Sequence, residues 1–205
     1  MINLPVTDEL LVKKAQQGNL VAYGELVERY QHHVYSLGYK LLKSPHEAQD
    51  AAQEIFIRTH KALPTFKGQS KFSTWLYRIA TNHCLDTLRR NQREQNKNVD
   101  WNNNNNQIST SDAGSQPEEA LLNKEKQQAV KRSLDALPDK YRLPLILHHY
   151  QELSYRQTAE VLEIGEAAVA TRIHRAKQML KEKLSGGVAD ELSRNKRKSE
   201  RLFGQ

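Results

Sequence analysis

The chain has 205 residues, 38% of them apolar and 27% charged, with a formal net charge of +7. So small an apolar share limits it to one or two modest cores of the short-helix kind, and the positive balance favours a polyanionic partner. Cys84 is the only cysteine, which excludes an intramolecular disulfide framework. The stretch from Met1 to Gln17 has no apolar h-region of a signal peptide, and no run approaches the ~18 apolar residues of a membrane span. A cytoplasmic protein with no direct membrane insertion is expected.

Nearly every patterned stretch has helical period. Thr7 can cap a first short helix, with Asp8 and Glu9 in its positive first turn and Gly18 suited to its end. Tyr23, Leu26, Val27, Tyr30, Val34, Leu37 and Leu41 then recur at three and four, the stripe of a long helix. Ser44-Pro45-His46-Glu47 supplies a cap, a proline at the first helical position and a glutamate to close a capping box. The helix it opens buries Ala48, Ala51 or Ala52, Ile55 and Thr59. Pro64 and Gly68 break the chain before a fourth helix, whose apolar set is Phe72, Trp75, Leu76, Ile79, Ala80 and Leu88.

From Gln95 to Pro117 the pattern stops, and Asn102 to Asn106 is an unbroken asparagine run. Such a segment buries too little to repay its ordering entropy, so a disordered linker is expected over 95–117. Periodicity resumes with Leu121, Leu122, Ala129, Val130 and Leu134, and Pro138 can open a helix carrying Tyr141, Leu145 and Ile146. A second capping box, Ser154 to Gln157, starts a short helix ending at Leu162; a turn at Ile164-Gly165 and a long helix to about Leu184 follow. The tail, 185–205, holds a basic run from Arg194 to Lys198 and is expected to be frayed. The fold class is therefore all-α: two small helical domains, 1–94 and 118–184, joined by a flexible linker.

Residues 154–184 have the layout of a helix-turn-helix. Val169, Ile173, Ala176, Leu180 and Leu184 step by four, three, four and four and form the buried stripe of the second helix. About 100° away lie Ala168, Thr171, Arg172 and Arg175. Small side chains let a helix approach the groove floor, and arginine can donate two bonds to guanine O6 and N7. His174 and Lys177 flank this line and can reach phosphates. A lone basic helix is more often a solvated amphipathic one; the capped helix before it and the turn spacing favour DNA.

In the first half, Lys67, Gln69, Lys71, Phe72, Ser73, Trp75, Arg78, Asn82, Arg89 and Arg90 mix aromatic, basic and small polar groups. Aromatic rings can stack on unpaired bases while lysine and arginine track the backbone, although Trp75 has the periodicity of a core residue.

The words DAAQEIF (Asp50 to Phe56), KFSTWLYRIATNHCLDTLRR (Lys71 to Arg90), LPDKYR (Leu137 to Arg142), ELSYRQTAEVL (Glu152 to Leu162) and TRIHRAK (Thr171 to Lys177) resemble, in order and spacing, the extracytoplasmic-function (ECF) sigma factors, group IV of the bacterial primary-sigma superfamily. The resemblance covers about residues 8 to 184. It implies that 1–94 is a region 2 bundle that binds core RNA polymerase and melts the −10 element, and that 118–184 is a region 4 helix-turn-helix that reads the −35 element. Asp50, Gln53, Glu54 and Phe56 match the segment that docks on the clamp helices of the largest polymerase subunit. Lys67, Gln69, Ser70, Lys71, Phe72 and Ser73 match the loop that captures a flipped base, and Arg78, Asn82, Arg89 and Arg90 the adjoining promoter helix. Thr171, Arg172 and Arg175 match the −35 readers. The implied partners are core polymerase at its clamp helices and flap, promoter DNA, and an anti-sigma factor that can hold the protein at the membrane. The chain departs from the family pattern with Glu163 where a turn glycine is usual and Gly165-Glu166-Ala167-Ala168 where Pro-x-Gly-Thr is usual. Ala170 replaces a common basic residue.

The alternatives fit less of the sequence. An enzyme built on His83-Cys84 lacks a positioned base and orienter. The adjacent pairs His32-His33 and His148-His149 point to different helix faces and chelate poorly. No cofactor or metal is therefore expected. An autonomous dimeric repressor leaves the Asp50–Phe56 and Phe66–Arg90 words unexplained, and no RNA-binding motif is present.

Overall fold

A computed structural model describes residues 6–98 and 128–202, with side chains described for 6–95 and 128–185. The first helices are α1 (Asp8–Gln16), α2 (Leu20–Leu42) and α3 (Pro45–Ala62); a 3₁₀ turn at Leu63–Thr65 and α4 (Phe72–Asn98) follow. After the undescribed stretch come a helical run at 128–135 (α5), α6 (Asp139–Tyr150), α7 (Tyr155–Leu162) and α8 (Glu166–Leu202). No strand occurs among the described residues, in line with the all-α expectation. None of their helices is long and apolar enough to cross a membrane.

Two compact units emerge. Described residues up to 98 group with Ile146–Glu166; the rest, up to Leu145 and from Ala167 onward, form the second. The division falls within α6 and at the start of α8, elsewhere than the linker from which two domains were expected. Residues 99–117 of that linker lie outside the described residues, and 95–98 continue α4.

The core of the first unit is the α2 stripe meeting its neighbours. Leu26, Val34, Leu37 and Leu41 are at most 1% exposed. Helix α2 packs on α1, α3 and α4, which contribute Leu11, Val12, Ala48, Ala51, Ile55, Leu76, Tyr77 and Ala80. Tyr23, Val27 and Tyr30 border it, half-buried. Gly38 permits the closest α2–α3 approach: a Cβ there would lie 3.5 Å from the Ala48 backbone, ordinary contact with no room to spare.

Local signals hold with two corrections. Thr7 takes the N-cap position of α1 but its side chain makes no capping bond. The next residue anchors this end instead: Asp8 accepts from Arg29 Nη1 at 2.8 Å and from the Tyr30 hydroxyl. Ser44 accepts from the Glu47 amide at 3.3 Å, but Glu47 does not close the box. Its carboxylate takes Asn91 Nδ2 at 2.7 Å, a tertiary contact 44 residues away. At Ser154 both capping-box bonds form.

The tail also differs from expectation, because α8 continues to Leu202. The Gly186-Gly187 pair costs ~1 kcal/mol per residue against alanine, and the following run is rich in Ala, Glu, Leu, Lys and Arg, which favour helix. In the second unit the buried apolar side chains are Leu134, Leu137, Leu143, Leu145, Val169, Ile173 and Ala176. Arg142, 3% exposed, sits among them with Nη2 on Asp139 at 2.7 Å.

Cys84 is fully buried in α4, and burial pushes its thiol up to about 12. Only the thiolate reacts, so the native protein should modify at least a hundredfold more slowly than a free thiol at pH 8. The rate should then rise with denaturant along the unfolding curve. Fast labelling of native protein by a disulfide reagent would contradict this packing.

Candidate nucleic-acid interface

Helix α3 presents Asp50, Gln53 and Glu54 on one outward side, Asp50 and Gln53 exposed and Glu54 half-buried. Asp50 Oδ2 lies 3.1 Å from His46 Nδ1. Glu54 accepts from Arg58 Nε at 2.7 Å, and that bond holds its carboxyl below the usual range, so it stays ionised. Phe56 departs from this group. It lies about 120° around the helix from Asp50, is half-buried, and its carbonyl accepts the Tyr23 hydroxyl at 2.5 Å. Ile57 takes the place expected of Phe56: seven residues from Asp50 and three from Glu54, it is 49% exposed on the same side. Its spacing was legible, but an isoleucine in an apolar-rich helix reads first as core.

The loop before α4 is fixed at its base and open at its tip. Gln16 Nε2 donates to the carbonyls of Leu63 and Phe66, at 3.0 and 2.8 Å. Gly68, at φ +69°, makes the turn. Lys67, Gln69 and Lys71 are exposed, while Ser70 and Ser73 are half-exposed. Phe72 is not available for stacking on a base, contrary to its place in the matched loop. It is 5% exposed, with edge contacts to Tyr30 at 5.6 Å and Phe66 at 6.3 Å, because the first turn of α4 must close the core. The half-exposed ring is Trp75, 4.7 Å from Phe66. It lines a pocket of ≈ 270 Å³ with Gln69, Ser70, Thr74, Arg78 and Glu160.

Along α4, Arg78, Asn82 and Arg89 lie within about 40° of one line. Arg90 stands about 100° away, and exposed Arg93 continues the line one turn further. Arg89 pairs with Asp86 at 3.0 Å. Arg78 Nη1 lies 3.6 Å from Glu163 Oε1, with both side chains largely solvated.

Helix α7 ends where Glu163 takes φ +54° and its amide bonds Ala159 O. Three residues, Glu163 to Gly165, separate α7 from α8. On α8, Val169, Ile173 and Ala176 are at most 1% exposed, and Leu180 and Leu184 are half-buried, so the expected stripe is the buried one. Thr171, His174, Arg175 and Lys177 are exposed, and Ala168 and Arg172 half-exposed, on the remaining surface. The Thr171 hydroxyl donates to Ala167 O at 2.9 Å, which leaves its oxygen lone pairs and methyl to face outward. Arg175 Nη1 reaches only Gln178 Oε1 at 3.4 Å, a weak tie that does not fix the guanidinium.

A capped short helix, a three-residue turn and a basic second helix on an all-helical frame define a DNA-binding protein of the helix-turn-helix class. Residues 26–94 match the Sigma-70 region 2 family and residues 127–180 the Sigma-70, region 4 family. The chain is 35% identical over 176 residues to the ECF RNA polymerase sigma factor SigW of Bacillus subtilis (strain 168), which spans 84% of this chain and 94% of SigW. Its fold is similar to that of CnrH, solved in complex with the cytosolic domain of CnrY (TM-score 0.66, 24% identity, 87% of this chain and 97% of that one). It is likewise similar to that of RpoE from Bartonella quintana, solved with the anti-sigma factor NepR (TM-score 0.64, 20% identity, 80% and 96%). The chain belongs to the ECF family of RNA polymerase sigma factors. It is a sigma factor that binds core RNA polymerase and directs promoter-specific initiation.

Proposed function

We propose a division of labour in which 1–94 docks on core polymerase and opens the −10 element, while 118–184 reads the −35 element. Asp50, Gln53 and Glu54 meet the clamp helices, with Ile57 as an apolar anchor among them. Lys67, Gln69, Ser70, Lys71 and Ser73 hold the non-template strand, and Arg78, Asn82, Arg89 and Arg90 grip the adjoining promoter. Ala168, Thr171, Arg172 and Arg175 face the −35 bases, flanked by His174 and Lys177 on phosphate. The observation that carries this reading is the buried stripe of Val169, Ile173 and Ala176, which turns the basic residues of α8 outward.

The protein supplies specificity and no chemistry of its own. In support, its one thiol is buried with its ionisation suppressed. It works in the cytoplasm on an envelope or stress regulon, in keeping with the function its family is named for. An anti-sigma factor restrains it, as the pairing of the Bartonella quintana protein with NepR suggests, and can hold it at the membrane.

The docking face is tested by reversing both Asp50 and Glu54 to lysine. Charge complementarity at an interface sets both on-rate and affinity, so binding to purified core enzyme should weaken about tenfold or more with helicity unchanged. Equal affinity in the folded variant would make these carboxylates merely solvated.

A further inference from the structure

The segment Ile146–Glu166 belongs to the same compact unit as α1 to α4, and α7 packs directly against α4. The contact covers the surface on which −10 DNA was placed. Glu163 reaches Arg78, and Glu160 closes one wall of the pocket formed by Gln69, Ser70, Trp75 and Arg78. Further along, Gln151 is 5% exposed and its Nε2 donates to the His33 carbonyl at 3.2 Å. The Lys40 ammonium sits over the Tyr150 ring at 4.1 Å. We infer that Ile146–Glu166 docks on the promoter-reading face of α4 as an internal competitor of DNA, so that the free protein holds its −10 reader covered.

Charge and backbone both support this. Two carboxylates, Glu160 and Glu163, stand where a DNA strand would present phosphates to Arg78. Glu163 reaches that position from a left-handed backbone at φ +54°, a conformation disfavoured for a residue with a Cβ. A strained conformation at a charged contact is a mark of function. The contact is also suited to separating. Thr74, which lines the pocket, Thr158 on α7 and Gln151 each keep a buried side-chain oxygen with no hydrogen-bond partner, which weakens the closed state. A solvated pair such as Arg78–Glu163 adds little by itself. Closure is therefore a population that a competing ligand can displace.

This inference rests on the placement of −10 DNA on α4 given above, and the test separates the two. The probe is a fluorescein-labelled single strand carrying the −10 element mapped from the protein's own transcripts, titrated with the full chain. The double variant Glu163→Gly, Gln151→Ala removes both polar ties and relieves the turn. Its affinity for the probe should rise about tenfold, since apparent affinity is reduced by the fraction of competent protein. A second arm uses Lys40→Cys with Tyr150→Cys and a short bis-maleimide, Cys84 being buried and unreactive. The native protein should cross-link rapidly and then lose probe binding by more than tenfold. No cross-link, or a cross-linked protein that binds like wild type, overturns the inference, as does unchanged affinity in the double variant. Failure of the underlying placement looks different: Arg78→Ala and Asn82→Ala would leave −10 preference in the polymerase complex unaltered.

Discussion

Alanine at Arg172 or Arg175 is expected to cost ~1–3 kcal/mol on the cognate −35 element and to relax preference at one or two base pairs. Both project from α8 away from Val169, Ile173 and Ala176, within the first three turns of the helix. Arg175 is held only loosely by Gln178, at 3.4 Å. Lys181 and Lys183 are exposed one to two turns further on, too far along for base contact. Replacing Lys181 should weaken all sequences equally or have no effect, and at most flatten the salt dependence. A −35 library selected with polymerase carrying each variant separates these outcomes. Variants of Arg172 and Arg175 that keep wild-type preferences and lose only affinity would make both arginines phosphate clamps, with readout left to Ala168, Thr171 and DNA shape.

The largest stability effect should come from Leu76→Ala. Leu76 is fully buried where α4 meets α2 and α3, and truncating a buried leucine removes its transfer energy and leaves a cavity, ~2–5 kcal/mol in total. Because α3 and α4 carry the docking and promoter faces on opposite sides of this one core, the variant should lose both activities together on warming. Leu20→Ala, at a position 70% exposed, should change stability by less than ~0.5 kcal/mol. Urea unfolding monitored by helicity measures both. A Leu76→Ala loss below ~1 kcal/mol would mean that the core collapses around the gap or that α4 packs otherwise.

Helix positions were legible because they depend on local chemistry: the α2 stripe, Pro45 at N1 and the Ser154 box are each complete within one or two turns. Where a residue had a distant partner to choose, the sequence could not arbitrate. Glu47 looked like the second half of a capping box, yet Asn91 competes for its carboxylate from 44 residues away. Phe72 carried equal signals for stacking and for core, and only the meeting of α4 with Tyr30 and Phe66 settles it. Phe56 and Ile57 exchanged roles for the same reason, since one residue of phase in α3 decides which side chain faces outward. The fit of Ile146–Glu166 on α4 left no periodic trace at all. It depends on single polar residues, Gln151 and Glu163, whose partners lie 118 and 85 positions away.

The most direct measurement is multi-round transcription by core polymerase on a fragmented genomic library, with and without the protein, mapping transcript starts and permanganate-reactive thymines. Protein-dependent starts should share one −35 and one −10 motif at fixed spacing, with unpaired thymines beginning at the upstream end of the −10 element. Promoter binding should be weak without polymerase, because each half offers a small contact and core enzyme joins them. Tight, specific duplex binding by the protein alone, with no protein-dependent starts, would contradict its role as a polymerase specificity subunit.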